Sequence, residues 1–267
     1  MKKQGMGEIE RLLFAYLQMR GQTTLRVGEL AWPLRLSPPR ERNLLSRLTK
    51  ARWIARVQRG VYLVPARLPL GGTWSPDEAQ ALNALMEERR GRYQVCGPPA
   101  FNLYGFHDQI PTRVYAYNNR ISGDRTIGAV ALTLIKVADR RLGATERVKK
   151  APGHIALYSS RARTLVDAVY DWSRFNTLPR AFDWIRGELN AGRVDADDLA
   201  RLTLRYGDIG TVRRIGALLD LLGVEARIQA RLDRALKPSA GLIPWIPARP
   251  KRGRVDRRWG IVWNGDE

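Results

Sequence analysis

Cysteine is almost absent from this 267-residue chain. Cys96 stands alone, so no disulfide can form within the chain and a cysteine-based zinc site has no ligands. Histidine is nearly as scarce. His107 and His154 are the only two, too few and too far apart in sequence to suggest a metal centre. Long apolar runs are missing as well. The longest, Ile127 to Ile135, falls far short of the roughly 20 residues that a membrane span needs. Met1-Lys2-Lys3 is followed by Glu8 and Glu10 rather than by an apolar stretch. A secretory leader is therefore not expected, and the expected location is the cytoplasm. Glycine-rich phosphate loops and serine-elbow patterns are absent. The last shortage is acid: 26 Asp and Glu face 46 Lys and Arg, a net charge of +20 and a pI near 10.9. A chain this basic repels itself unless it meets a polyanion, which makes nucleic acid the first partner to consider.

The excess charge is unevenly placed. Residues 1–70 hold 14 basic and 4 acidic side chains, half of the surplus in a quarter of the length. Residues 65–76, rich in Pro and Gly, read as a linker. They divide the chain into an N-terminal domain over 1–68 and a larger one over 69–267. In the first, Ile9, Leu12, Leu13, Tyr16 and Leu17 recur at helical spacing until Gly21. A short helix is expected over 26–31, with Val27 and Leu30 inward. Ser37-Pro38-Pro39 starts another helix, running to about Ala51, with Leu44, Leu45 and Leu48 buried. Strands over 53–57 and 61–64 flank the turn Gln58-Arg59-Gly60. Three helices followed by a β-hairpin is the element order of a winged helix-turn-helix. In that fold the third helix enters the major groove and the hairpin reaches the backbone or the minor groove. The residues expected at DNA are Arg35, Arg40, Arg42, Asn43, Arg47, Lys50, Arg56 and Arg59. Arg40, Asn43, Arg47 and Lys50 form the face expected to read it. One such module covers too little DNA for useful specificity, so inverted half-sites in duplex DNA are expected. No heptad marks a dimer helix, so the protein is expected to be a monomer in solution.

The larger region reads as an α+β domain with a mixed sheet and a helical C-terminal half. Ser75 and Glu78 suggest a capping box. Strands are expected over 93–96, 113–117, 129–137 and 154–158. Helical periods follow from Ser160, with Asp195 as a cap and helices over 211–222 and 225–236. Trp259 to Trp263 reads as a strand returning to the sheet. Arg227, Arg231 and Arg234 on the last helix lie at spacings of four and three that place them on one exposed basic face, which Lys237 extends, and Arg213 and Arg214 add charge on the preceding helix. Carboxylates that could hold a cation are few. Asp167, Asp171 and Glu188 are spaced for it, but Arg163 lies one turn before Asp167 and pairs with it on the helix surface. Ser159 and Ser160 read as helix caps, Cys96 as core and His107 as a loop residue. No catalytic residue, metal or cofactor is expected.

Five segments together carry a resemblance. Gln58-Arg59-Gly60-Val61-Tyr62, Ala100 to Phe106 with Gln109-Ile110-Pro111, Arg163-Thr164-Leu165-Val166-Asp167, Arg214 to Leu219, and Trp259 to Asn264 stand in the order found in AbiEi. This is the antitoxin and transcriptional regulator of the AbiE type IV toxin–antitoxin systems. Tyr104 stands where that family usually has His, and Ile215 where it has Leu. The resemblance implies a DNA-binding N-terminal domain that represses its own operon. It also implies a C-terminal domain that neutralises a nucleotidyltransferase toxin encoded beside it, and the Arg213–Arg234 face is the expected neutralising surface. Two other readings stay open: a winged-helix transcription factor whose C-terminal domain senses a ligand, and a nuclease guided by a winged helix.

Overall fold

Leu13, Phe14 and Leu17 line the buried side of α1 (Glu8–Met19), the first element of the computed structural model, which describes residues 6–69, 73–236 and 241–265. Ile9 and Leu12, expected on that same side, are 43% and 52% exposed. After β1 (Thr24–Arg26) the chain runs through turns over 27–35 rather than the short helix expected over 26–31. The reason is a side chain from the next helix. Glu41, on α2 (Pro38–Lys50), is buried, and its carboxylate accepts the backbone N–H groups of Gly28 and Leu30 at 2.9 and 3.1 Å. Gly28 also holds φ +102°, which helical backbone does not allow. Glu41→Ala should therefore cost about 2 kcal/mol, because two backbone donors, of which that of Leu30 is buried, lose a charged acceptor. Urea unfolding checks this, and a loss under about 1 kcal/mol would mean that the turn holds itself.

Ser37 has extended backbone before α2, and Pro38 and Pro39 occupy its first turn. The strands β2 (Ala55–Gln58) and β3 (Val61–Leu63) form a hairpin whose tip is Arg59-Gly60. Gly60 takes the left-handed position at φ +80°. The sheet order is β1-β3-β2, antiparallel throughout. Its core joins leucines of α1, Leu25, Leu30, Leu36, the α2 leucines, Ile54 and Val64. The helix α3 (Glu78–Glu88) is capped by Asp77 with Gln80, not by Ser75 with Glu78. The Ser75 hydroxyl instead accepts the Ala129 N–H at 2.7 Å.

Beyond α3 come β4 (Tyr93–Cys96), α4 (Pro98–Leu103), β5 (Val114–Asn118), β6 (Gly123–Ile127), β7 (Val130–Lys136), β8 (Thr145–Ala151) and β9 (His154–Ser159). The helical half holds α5 (Arg161–Tyr170), α6 (Trp172–Phe175), α7 (Arg180–Asn190), α8 (Ala196–Tyr206), α9 (Ile209–Leu221) and α10 (Ala226–Asp233). It is followed by β10 (Ile243–Pro244), β11 (Arg254–Asp256) and β12 (Ile261–Trp263). The chain is a mixed α+β protein. Its backbone divides into two compact units: one of residues up to Gln94, Thr112–Leu142 and Arg147–Leu157, the other of Val95–Pro111, Gly143–Glu146 and Tyr158 onward. Residues 6–68 belong to the first. Within it, β5 pairs with β7 in parallel and β6 with β7 in antiparallel fashion.

In the second unit Val95 of β4 pairs with Tyr158 of β9 in parallel. The terminal strand does not return to these. β12 sits between β10 and β11 in a three-stranded sheet of its own. Its anchor is Trp259, fully buried, whose indole N–H donates to Asp220 at 2.8 Å. Asn264 closes the segment by accepting the Ile246 N–H and donating to the Ile246 carbonyl at 2.8 and 3.0 Å. Among the described residues no helix is long and apolar enough to cross a membrane.

Candidate nucleic-acid interface

The geometry of α2 and the hairpin opens a concave surface. One cavity of about 480 Å³ lies between them, lined by Arg42, Ser46, Thr49 and Lys50 from the helix and by Arg56, Arg59, Gly60 and Tyr62 from the hairpin, with Val27. A second, of about 580 Å³, shares Thr49, Lys50 and Arg56 with it and adds Arg52, Trp74 and the 126–129 turn. The two together carry five cations and no carboxylate. Nothing in the lining neutralises them, so the potential there is strongly positive.

All eight side chains expected at DNA are exposed, but they do not form one surface. Arg42, Lys50, Arg56 and Arg59 line the groove. Arg47 pairs with Glu10 of α1 at 2.5 Å, and neither Arg40 nor Asn43 lines the groove. Arg35 precedes α2 with φ +50°. The expected reading face thus splits, and Lys50 is its one member in the groove. Arg42, Ser46 and Thr49, at the same helical spacing, face the groove with it.

Arg52 was also missed. It follows the C-cap of α2 at φ +58°, a left-handed position that costs an L-residue about 1–2 kcal/mol and usually goes to glycine. Its carbonyl accepts the Trp74 N–H at 2.7 Å. Part of the stretch read as a linker is thereby tied down within the first unit, while residues 70–72 lie outside the described residues.

The basic face expected in the second unit is not assembled. Arg213 and Arg214 are only 6% and 7% exposed. Arg213 donates to the Gly241 carbonyl at 2.7 Å, and Arg214 to those of Trp245 and Pro244 at 3.2 and 3.0 Å. Burial lowers the pKa of Arg214. Both hold the C-terminal segment against α9, where helical spacing alone had left them facing solvent. On α10, Arg227 pairs with Glu225 at 2.7 Å and Arg231 with Asp197 at 3.1 Å. Arg234, at the helix end, is exposed and donates to the Ala230 carbonyl. Lys237 lies outside the described residues.

The acidic candidates are each engaged by arginine. Arg163 and Asp167 form a pair at 2.9 Å with side-chain exposures of 0% and 1%, inside the unit rather than on the helix surface. The Arg163 guanidinium also stacks 3.8 Å from the Tyr206 ring centre. Glu188 is buried, which by itself would raise its pKa. Hydrogen bonds from Arg193 and Arg161 outweigh that and lower it. Asp171 lies 3.6 Å from Arg174. Among the described residues no three His, Cys, Asp or Glu side chains are grouped to hold a metal ion. Ser160 caps α5, while the Ser159 hydroxyl donates to Asp167 at 3.1 Å. Cys96 is buried, and His107 sits in a loop where its ring nitrogen accepts the Gln109 N–H. Tyr104 places its hydroxyl 2.8 Å from the Ser159 carbonyl and 3.1 Å from Glu146, and burial pushes its pKa up.

No family model and no curated protein matches the chain. Among solved structures it is similar to the RV2827C protein from Mycobacterium tuberculosis, with a TM-score of 0.60 and 14% identity over 96% of this chain and 92% of that one. At that identity the likeness is one of fold.

Proposed function

We propose that the first unit binds duplex DNA as a winged helix, with α2 in the major groove and the β2–β3 hairpin as the wing. The observation that carries this reading is the carboxylate-free groove between them, with Arg42, Lys50, Arg52, Arg56 and Arg59 along it. Arginine forks and a lysine at this spacing match phosphates flanking a groove, and Ser46 and Thr49 offer short donors to base edges. Our reading of the whole chain is an AbiEi-type antitoxin: a cytoplasmic, non-enzymatic repressor of its own operon that also neutralises a nucleotidyltransferase toxin encoded beside it. The five segments that resemble that family support this second role, and growth rescue on co-expression with the neighbouring gene tests it. Inverted half-sites, each taking one monomer, remain part of the reading.

Arg52 supplies a test that separates folding from binding. Arg52→Gly relieves the left-handed strain and should raise stability by about 1 kcal/mol. It also removes one phosphate contact, so affinity for promoter DNA should fall and the slope of log K against log salt should lose about 1. Urea unfolding and a salt series of fluorescence anisotropy measure the two. An unchanged slope would take Arg52 out of the interface.

A further inference from the structure

The first helix carries an apolar row that its own core does not use. Ile9, Leu12 and Met19 of α1 are 43%, 52% and 86% exposed, and half-buried Tyr16 stands among them. Their spacing is three, four and three, so the four share one side of the helix. The core takes another side, through Leu13, Phe14 and Leu17. None of the four lines either cavity of the DNA groove. Apolar residues exposed singly are ordinary, whereas a continuous row of them marks a contact surface. The row has a charge at each end. Glu8 precedes Ile9 and Arg20 follows Met19, and both are exposed. The Arg20 guanidinium lies 5.6 Å from the Tyr16 ring centre and donates to its hydroxyl at 2.8 Å.

This row is complementary to itself. Set antiparallel against a second α1, with a two-fold axis at the middle of the helix, Ile9 meets the second copy's Met19 and Leu12 its Tyr16. Glu8 then meets the second copy's Arg20. Every apolar residue faces an apolar one and every end charge its opposite, as a contact between identical surfaces requires. A parallel pairing would instead bring Glu8 to Glu8 and Arg20 to Arg20. We propose that α1 is the contact between two copies of this chain, packed antiparallel along Ile9, Leu12, Tyr16 and Met19. Four side chains a copy are far fewer than the roughly 20–30 residues that each partner of a stable complex buries. The contact by itself therefore leaves the chain monomeric in dilute solution. Two copies held on neighbouring half-sites meet at an effective concentration of about 1 mM, where so small a contact can form. The pairing follows from α1 alone; its use on promoter DNA rests on the DNA-binding reading.

The test is crosslinking of full-length chains by a short bis-maleimide, with wild type as the blank because Cys96 is buried. Ile9→Cys chains and Met19→Cys chains are treated separately and mixed, without DNA, at about 1 mM, the concentration the half-sites would impose. The mixture should give dimer severalfold faster than either variant alone, since only the mixture sets two thiols across the antiparallel contact. Adding Leu12→Asp to both chains should remove that excess, and Leu12 is exposed enough for the variant to fold. On promoter DNA, wild type should fill its second half-site about tenfold more tightly than its first, and Leu12→Asp should fill both alike. Equal dimer yields from the mixture and the single variants overturn the proposal. So does an excess that survives Leu12→Asp, or a Leu12→Asp chain that fills the promoter as cooperatively as wild type. Chains that show the excess and bind no promoter DNA would support the contact and overturn the DNA-binding reading instead.

Discussion

Gly216→Ala should destabilise the second unit by about 3 kcal/mol, the upper range for forcing one carbon into a filled core. Gly216 lies on α9 with the Trp259 ring directly over it. A methyl group there would come within 2.6 Å of three ring carbons. The ring cannot step aside, because Trp259 is fully buried and its N–H is held by Asp220. Gly187, on α7, is the control, since a methyl group there meets nothing within 4 Å. Gly187→Ala should be neutral or stabilise by up to about 1 kcal/mol, the helix-propensity gain of alanine over glycine. Urea unfolding followed by tryptophan fluorescence reads both. Equal effects of one sign at the two glycines would mean that the Trp259 contact does not govern the site.

Arg163→Ala should cost about 3–5 kcal/mol. The Arg163–Asp167 pair is out of water, and removing the guanidinium leaves a buried carboxylate without its counter-charge. The substitution also removes the stack on Tyr206 and a donor to the Gly143 carbonyl. Replacing both members, as Arg163→Met with Asp167→Leu, should recover a large part of that loss, because no charge then remains buried. A double variant no more stable than Arg163→Ala would show that the pair is held by more than mutual compensation.

Both sites lie in segments whose motifs stood out in the sequence, but their physical roles there were not legible. Arg163 and Asp167 were visible as a pair one turn apart. Spacing along one helix says that two side chains meet, and says nothing of what covers them. Arg213 and Arg214 failed for the same reason, since their partners are the carbonyls of Gly241, Pro244 and Trp245, some thirty residues onward. The start of α2 was readable from Ser37-Pro38-Pro39 because a proline pair fits a first helical turn. The same proline pair at Gly97-Pro98-Pro99 begins α4. β6 and β8 are largely solvent-facing and polar, so neither shows a clear alternation in the sequence. The groove was half visible. Charge and element order led to α2 and the hairpin, but choosing among the stripes of α2 required Glu10, whose pairing with Arg47 no local pattern reveals.

The most direct test of the DNA-binding reading is a salt titration of promoter DNA binding by the full chain. Wild type is set beside the variant in which Arg42, Lys50, Arg56 and Arg59 are all alanine. These four side chains are exposed, so the variant should unfold with nearly the wild-type midpoint. If the five groove cations each meet one phosphate, the wild-type slope of log K against log salt is about −4.5, and the variant retains about −1. A variant that folds and keeps the wild-type slope would contradict the assignment of DNA to this groove.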